Sequence, residues 1–283
     1  MRFAVPQRWV DLDAQGHVNN AVVADYLQEA RVAWLLGGDN AHLLGTGTLV
    51  VSHQVEYLGP IGFSTAPVEV EVEVGTVGAS RFSVGYTVRQ DGRDAARAHS
   101  LLCAFDHSAG RPRRLTPQER AWFAGQSRHL EPFRSLGRWH VGDRAHVEPL
   151  VVRWSDLDPY GHVNNVRLFD FVAEARIRMN PAEDGTTRMQ AAAADGLLWM
   201  VARQDVDYLA QVNHRLAPYR VRSAIARLGR TSVTIVAQVE DPDDERVLAR
   251  TRTVLVCGDA TGHPVPVPGS MHLAAARWPA EPH

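Results

Sequence analysis

The chain has 283 residues, of which 45% are hydrophobic, and a formal charge of −2 at neutral pH. This length and apolar content are enough for two domains, each with its own core. The balanced charge excludes a general basic field for nucleic acid, and no run approaches the roughly 20 apolar residues of a membrane span. We expect a soluble cytoplasmic protein, because residues 1–6 also lack the apolar core of a signal peptide.

The first part of the chain predicts a short strand, a polar loop, one long helix and then four strands. Apolar residues at helical spacing, such as Val23 and Leu27, predict a helix over 20–37. Valine alternates with glutamate over 68–74, which is typical of a strand with one wet face. The predicted strands are 49–58, 66–77, 81–90 and 95–105. One helix followed by consecutive antiparallel strands favours an α+β fold over alternating βαβ units.

The same order of elements is predicted again after a connector rich in arginine, proline and glycine. In the connector, Thr116-Pro117-Gln118-Glu119 is typical of the capped start of a short helix. The second helix is predicted over 165–180, and its strands over 197–209, 219–228, 232–239 and 247–257. A tail with five prolines follows, and we expect it to cross the surface without regular structure. The expected domains are 1–107 and 146–258, joined by a linker over 108–145 and followed by a tail over 259–283.

A thirteen-residue segment occurs in both copies. Residues 8–20 read Arg-Trp-Val-Asp-Leu-Asp-Ala-Gln-Gly-His-Val-Asn-Asn, and residues 153–165 repeat ten of these thirteen positions. Each predicted helix then contains Glu-Ala-Arg, and a later strand ends in Glu-Tyr-Leu or Asp-Tyr-Leu. Such self-similarity predicts two copies of one unit, each with the same chemistry.

This pattern resembles the hotdog-fold acyl thioesterases of the 4-hydroxybenzoyl-CoA thioesterase and acyl-ACP thioesterase groups. The resemblance covers both copies. It implies a tandem (double) hotdog fold, in which each half is a long helix wrapped by an antiparallel sheet and the halves are related by a pseudo-twofold axis. It also implies hydrolysis of an acyl-CoA or acyl-ACP thioester, with no cofactor other than the CoA of the substrate and no metal.

The resemblance gives the catalytic carboxylates to Asp13 and Asp158, which act as nucleophiles or as general bases for water. His17 and His162 match the motif histidine of the acyl-ACP thioesterases, and we expect them to support the carboxylate or the substrate. The catalytic candidates also include asparagines, namely Asn19 and Asn164. The expected substrate-binding residues are Gly16, Gly161, Asn20, Asn165, Tyr57 and Tyr208.

The loop residues predict related chemistry without the family. Asparagine is a favoured helix N-cap, so the Asn-Asn pairs indicate a helix N-terminus inside each loop. The free N–H donors and partial positive charge of that helix end can stabilise a developing oxyanion.

The motif departs from the family pattern at Gln15 and Tyr160, because plant acyl-ACP thioesterases often have asparagine at this position. A copied Asp, Asn and His triad is therefore not supported there.

Structural roles are expected for several other paired residues. We expect Asp11 and Asp156 to cap turns, because aspartate is a common turn residue. Burial without a disulfide is expected for the two cysteines. The side chains expected in the core are Trp9, Trp154, Cys103 and Cys257.

Other functions stay open at this point. A hydratase or dehydratase of the same fold has a different spacing from Asp to His. A non-catalytic acyl-CoA-binding regulator of this fold carries a helix-turn-helix segment, and the spare helix predicted around 117–123 is too short to read DNA. A metal site would draw on Asp11, Asp13 and His17, but no further cluster of ligands supports it. A serine hydrolase would need a Gly-x-Ser-x-Gly motif, which the sequence lacks.

Partners are expected at the level of chemistry. The densest basic cluster, Arg111, Arg113 and Arg114, would suit the phosphates of CoA, although a solvated linker explains it better. We expect no nucleic-acid partner and no insertion into a membrane. Association of the double-hotdog chain into a homo-oligomer is possible through exposed faces.

Overall fold

In a computed structural model, the protein is described over residues 1–179 and 196–282. It divides into two compact units, Met1–Phe133 and Arg134–His283, here called unit 1 and unit 2. Each unit has one long helix packed against an antiparallel sheet. No helix among the described residues is long and apolar enough to cross a membrane.

Unit 1 contains a five-stranded antiparallel sheet with the order β1-β3-β4-β5-β2, and the short β6 pairs with β5. Its strands are β1 (Arg2–Val5), β2 (Thr48–Tyr57), β3 (Val68–Val77), β4 (Arg81–Gln90), β5 (Arg93–Asp106) and β6 (Arg111–Pro112). Its helices are α1 (Asn20–Leu36), α2 (Leu43–Thr46) and α3 (Pro117–Gly125). The predicted helix and four strands of the first copy are thus confirmed, with ends that differ by up to two residues.

The core of unit 1 lies between α1 and the sheet. Helix α1 packs on β1 and β3 and buries Val23, Leu27 and Trp34. Four valines of β3 are buried, namely Val68, Val70, Val72 and Val74. Glu69 and Glu71 pair with arginine; for example, Arg89 Nη1 donates to Glu71 Oε2 at 2.6 Å. The predicted alternation of this strand is therefore confirmed.

Unit 2 repeats the order as β8-β10-β11-β12-β9, again antiparallel, and a small second sheet pairs β13 with β7. Its strands are β7 (Trp139–His140), β8 (His146–Leu150), β9 (Leu197–Tyr208), β10 (Tyr219–Leu228), β11 (Ser232–Glu240), β12 (Val247–Asp259) and β13 (Glu281–Pro282). Its helices are α4 (Arg167–Arg178), which packs on β8 and β10, and α5 (Gly269–Arg277).

Helix α4 begins two residues later than the sequence predicted. The predicted start was Asn165, but the segment first makes tight turns, in which Arg167 N donates to Asn164 O at 2.9 Å and Leu168 N to Asn165 O at 3.3 Å. These three-residue bonds precede the regular α-helix, as is common at helix ends. The predicted end near Asn180 lies outside the described residues.

The prediction that the tail has no regular structure was wrong. Helix α5 lies within it, and Ala274 and Trp278 pack into a core with Met179 and Ile225. The backbone continues the contact, because Ile225 N donates to Trp278 O at 2.7 Å. The prolines of the tail bracket this helix and do not interrupt it, since they stand before Gly269 or after its last turn.

The short helix predicted in the connector is α3, and its capping box is confirmed. Glu119 N donates to Thr116 Oγ1 at 3.2 Å, and Thr116 N donates to Glu119 Oε2 at 2.8 Å. Phe123 of α3 is fully buried and stacks on Phe82 at 4.0 Å between ring centroids. Helices α3 and α5 follow the last long strand of their sheets, and each is followed by a parallel bridge, Val74 to Ser127 or Ile225 to Pro279. The internal repeat therefore extends through these helices.

Candidate active site

The loop of the repeated motif in unit 1 is a tight hairpin closed by a bridge between Leu12 and Val18. Asp13 N donates to His17 O at 2.8 Å, and Gly16 N donates to Asp13 O at 3.0 Å. Gly16 has a φ of +78°, a left-handed conformation that favours glycine. A turn followed by a left-handed glycine is a common three-residue hairpin connection, so the Asp-x-x-Gly spacing specifies the loop.

The carboxylate of Asp13 is fixed by this loop. Its Oδ1 accepts hydrogen bonds from Gln15 N at 2.8 Å and from His17 N at 3.4 Å. Within residues 1–179 and 196–282, Oδ2 has no hydrogen-bond partner. One oxygen thus sets the orientation of the group, and the other remains available to a substrate or a water.

The loop of unit 2 has the same geometry. Asp158 N donates to His162 O at 2.8 Å and Gly161 N to Asp158 O at 3.0 Å, and the φ of Gly161 is +81°. Asp158 Oδ1 accepts from Tyr160 N at 2.9 Å and from His162 N at 3.2 Å. The structure therefore brings Asp, Gly and His of the motif together in each unit.

The first aspartate of each motif is a structural cap, as predicted. Asp11 is buried, and its carboxylate accepts from Arg8 N and Tyr26 Oη, both at 2.8 Å. Burial raises the pKa of the Asp11 carboxyl, but the bonds from Arg8 and Tyr26 outweigh burial and hold that pKa below its usual range. In unit 2, Asp156 Oδ2 accepts from Arg153 N at 2.7 Å.

The asparagines of the motif secure the start of each long helix. Asn19 is the N-cap of α1, and its Oδ1 accepts from Ala21 N at 3.0 Å. In unit 2, Asn164 Oδ1 accepts from Asn165 Nδ2 at 3.3 Å and from Val166 N at 3.4 Å, while the N-cap position is Val166. The predicted N-cap is confirmed in unit 1 and displaced in unit 2.

The two candidate tyrosines bond to these same segments. Tyr57 Oη donates to Asn20 O, and Tyr208 Oη donates to Asn165 O, both at 2.8 Å. Tyr57 ends β2 and Tyr208 ends β9, so the bond ties that strand to the first turn at the motif. This contact gives both tyrosines a positioning role, whereas their contact with a substrate stays a prediction.

A second segment, which has no recognisable sequence motif, contacts the motif loop in each unit. Val18 N donates to Ile61 O at 2.8 Å, and His17 forms a bridge with Gly62. In unit 2, Val163 N donates to Val212 O at 2.9 Å, and His162 forms a bridge with Asn213. Both segments follow the Tyr-Leu end of β2 or β9, and that position is the sequence signal that could have located them.

The prediction that Trp9 and Trp154 are core residues was wrong. Their exposed fractions are 75% and 78%, respectively. Each begins the short 3₁₀ turn that ends at Asp11 or Asp156, and this turn directs the indole away from the core. The cysteines of the sequence analysis are buried and free, as predicted.

The two loops differ at both positions between Asp and Gly, where Ala14-Gln15 is replaced by Pro159-Tyr160. Tyr160 replaces Gln15, and burial, followed by the charge of Asp158, raises the pKa of the Tyr160 hydroxyl. Tyr160 is therefore protonated at neutral pH and adds an aromatic wall beside Asp158, whereas Gln15 is exposed.

One arginine of the connector's basic cluster, Arg113, forms an ion pair within the protein. Arg113 Nη1 and Nη2 donate to the two carboxylate oxygens of Glu119, each at 2.8 Å. Arg111 and Arg114 are exposed, and their contact with CoA phosphates stays a prediction. Among the described residues, no group of three or more His, Cys, Asp or Glu side chains is placed to hold a metal ion.

Comparisons with known proteins agree with this arrangement. The family model described as "Thioesterase-like superfamily" matches residues 7–123 and 152–276, once per unit. An acyl-ACP thioesterase from Bacteroides thetaiotaomicron aligns with a TM-score of 0.66 at 13% identity, over 90% of this chain and 96% of that chain. A 12:0-ACP thioesterase from Umbellularia californica aligns with a TM-score of 0.69 at 16% identity, over 90% and 93%. A search of curated protein sequences gave no match. The predicted double hotdog fold is thus confirmed.

Proposed function

Because the chain belongs to the thioesterase-like superfamily, we propose that it hydrolyses an acyl-CoA or acyl-ACP thioester to a free acid and a thiol. The single observation that carries the proposal is the carboxylate of Asp13 and of Asp158. In each loop, Oδ1 is held by two backbone N–H groups and Oδ2 has no partner among the described residues. A carboxylate oriented in this way suits attack on a carbonyl carbon, or removal of a proton from an attacking water.

Hydrolysis of the thioester forms a C–O bond and breaks the C–S bond. Water adds to the thioester carbonyl, the C–S bond breaks, and the thiolate leaves and takes up a proton. As a general base, the Asp removes a proton from that water; as a nucleophile, it forms an anhydride that water then opens. The oxygen that becomes negative needs donors, and the N-terminal turn of the long helix beside each loop supplies backbone N–H groups and a positive dipole end.

The other motif residues act around the carboxylate. His17 and His162 donate to the substrate or orient the water, and the backbone N–H of each holds Oδ1 of its own Asp. Asn19 and Asn164 keep the helix start in place, and Gly16 and Gly161 leave space above the loop. No atom lies within 4 Å of a Cβ added at either glycine, so an acyl carrier can approach the backbone there.

The reaction proposed here uses no cofactor other than the CoA of the substrate. We propose a cytoplasmic protein that acts on small carriers or carrier proteins, not on nucleic acid and not from within a membrane, and whose chains can associate further. A hydratase of the same fold and a non-catalytic acyl-CoA-binding protein remain the competing functions.

Incubation of the purified protein with a panel of acyl-CoA and acyl-ACP substrates separates these functions. Mass spectrometry of each mixture is the measurement. We expect free acid and free thiol in equal amounts. A product heavier than the substrate by one water would identify a hydratase instead, and a bound but unchanged thioester would identify a binding protein.

A further inference from the structure

Each unit exposes a tryptophan beside its motif loop, and the proposed chemistry does not use it. Trp9 and Trp154 have exposed fractions of 75% and 78%. Large exposed apolar side chains at equivalent places of two copies point to a binding surface, because an isolated one would be unremarkable. The thirteen-residue repeat places both rings four residues before the motif carboxylate.

Among the residues that the structure describes, each ring has one aromatic neighbour in edge contact. Trp9 meets Phe63 with centroids 5.2 Å apart and an interplanar angle of 82°, and Trp154 meets His214 at 5.7 Å and 84°. Phe63 and His214 follow the segments that pair with the motif loops. A ring that is three-quarters exposed and has one perpendicular neighbour keeps an open face. We call Trp9 with Phe63, and Trp154 with His214, the tryptophan pairs.

The turns that carry these rings are held firmly in place. In unit 1, Arg8 Nε donates to Asp11 Oδ1 at 2.9 Å, and Asn19 N donates to Asp11 O at 2.8 Å. In unit 2, Asn164 N donates to Asp156 O at 2.8 Å. The motif loop and the tryptophan turn thus share one buried aspartate in each unit. Because the turn is already ordered, binding of a ligand to the ring costs the protein little conformational entropy.

From these observations we propose that the tryptophan pairs stack on the adenine base of CoA while its thioester lies at the motif Asp. The inference rests on the proposed function and selects CoA as the carrier. Flat heteroaromatic bases stack on exposed aromatic faces and keep their polar edges in water. The pantetheine and diphosphate parts of CoA separate the base from the thioester, which suits a ring outside the reacting loop.

The other occupants fit these surfaces less well. An acyl chain gains most from complete burial, and an open ring face does not enclose it. An acidic carrier protein needs free positive charge over a wide surface. The neighbours of the two rings, Phe63 and His214, offer flat aromatic faces and not a wide cluster of positive charge.

The test compares one acyl group on CoA, on pantetheine and on holo acyl carrier protein. We expect the Trp9→Ala/Trp154→Ala double variant to raise KM for acyl-CoA by about fivefold or more, the range of base stacking, with kcat nearly unchanged. The kinetics with acyl-pantetheine should equal those of the wild type, because this substrate has no base. The Trp9→Phe/Trp154→Phe variant keeps an aromatic face and should recover most of the affinity. Leu273→Ala, at a position with 74% exposure on α5, is the matched surface control.

Three results would overturn the proposal. An equal rise in KM for acyl-pantetheine would assign the rings to the acyl or pantetheine part. A loss confined to the carrier protein would make the surface a protein-docking site, and an unchanged KM on all carriers would exclude the rings from substrate binding.

A second measurement keeps the proposal testable if the alanine variant does not fold or if the proposed function is wrong. CoA should quench part of the tryptophan fluorescence of the wild type, pantetheine should not, and the quenched part should fall in Trp9→Phe/Trp154→Phe. Equal quenching by both ligands, or by neither, would contradict stacking. If the wild type hydrolyses no thioester and CoA still quenches its fluorescence selectively, the proposed function fails and the base site remains.

Discussion

Units 1 and 2 have the same motif loop, but they differ on the sheet face away from the long helix. In unit 1, this face has a groove of about 400 Å³, and its lining includes Ser52, Gln54 and His99. The equivalent positions of unit 2 are Arg203, Asp205 and Arg252. There Arg203 Nε donates to Asp205 Oδ1 at 2.8 Å and both side chains are buried. The same sheet face thus carries buried ion pairs in unit 2 and an open groove in unit 1.

The position of this groove follows from strand register. Tyr86 Oη accepts a hydrogen bond from Arg31 of α1 at 3.1 Å, so Tyr86 lies on the helix side of β4. Its neighbour Gly85 faces the other way, and Gly85 pairs with His99. The motif loops keep their hydrogen-bond lengths to within a few tenths of an ångström across this difference. Local residues therefore specify the loop, and the sheet face can vary independently.

The buried ion pair gives the largest expected difference in stability between the units. Asp205→Asn removes the charge that faces Arg203 and leaves a buried guanidinium without its counter-charge. We expect a loss of about 3–5 kcal/mol in the free energy of unfolding of unit 2, from urea denaturation. The matched control in unit 1 is Ser52→Ala, which should cost less than about 1 kcal/mol. Equal losses for the two variants would contradict the comparison.

The next largest loss of stability is expected at Glu119, whose carboxylate pairs with Arg113 in unit 1. Bonds from Arg113, with help from His42 and Thr116, hold the pKa of Glu119 at about 2 against the opposing effect of burial, where 4.5 is its usual value. The pKa is lowered in the folded state, so the stabilisation is complete above about pH 4.5 and is lost as pH falls toward 2. We expect Glu119→Gln to destabilise the protein by about 3 kcal/mol at pH 7.

The pH series provides the check on this prediction. The difference between Glu119→Gln and wild type should shrink when unfolding is measured at successively lower pH between 5 and 3. Glu131→Gln, whose carboxylate is 89% exposed, is the control and should show little difference at any pH. A difference that stays constant with pH would mean that packing, and not ionisation, explains the loss.

A smaller asymmetry lies beneath the motif loops. Tyr26 donates to the buried Asp11, but Phe171 stands at the equivalent position of unit 2. We expect Tyr26→Phe to cost about 1.5–3 kcal/mol, the usual value of a hydrogen bond to a charged group. The reciprocal variant, Phe171→Tyr, should cost less, because Asp156 already lacks such a donor. Thermal unfolding of the two variants measures this, and a larger loss for Phe171→Tyr would refute the assigned role of Asp11.

The smallest expected loss of stability concerns the left-handed glycine that both motif loops share. Gly16→Ala and Gly161→Ala force a methyl group onto a left-handed backbone, and no neighbouring atom lies within 4 Å of the added carbon. Strain alone should cost about 1–2 kcal/mol in each unit. Gly59→Ala has the same open surroundings without a positive φ and should cost less. Unequal losses at Gly16 and Gly161 would show that the loops differ more than their hydrogen bonds indicate.

Much of the fold was predictable because it depends on local periodicity. The β3 valines alternate with glutamates, and α1 repeats its apolar stripe every three to four residues, so both elements appear in the sequence. The prediction for the tail was wrong because its prolines lie at the ends of a helix: Pro268 precedes α5 and Pro279 follows it. Proline position, and not proline content, decided the structure.

The geometry of the motif loop was predictable from the sequence, and the exposure of the tryptophan beside it was not. The Asp-x-x-Gly spacing specified the loop, because aspartate caps such turns and glycine takes the left-handed φ. Nothing local to Trp9 distinguishes an exposed indole from a buried one, since its direction depends on the bonds of Asp11 to Arg8 and Tyr26. Pairing of the loop with Gly62 is likewise a contact between distant parts of the chain.

The central claim is that the motif carboxylates perform the same chemistry in both units. Asp13→Asn, Asp158→Asn and the double variant test it most directly, because asparagine keeps the shape and removes the charge. With acyl-CoA as substrate and circular dichroism to verify folding, each single variant should retain part of the wild-type kcat, and the double variant should lose two or more orders of magnitude, about 3 kcal/mol or more in activation free energy. A folded double variant with wild-type kcat would contradict the account.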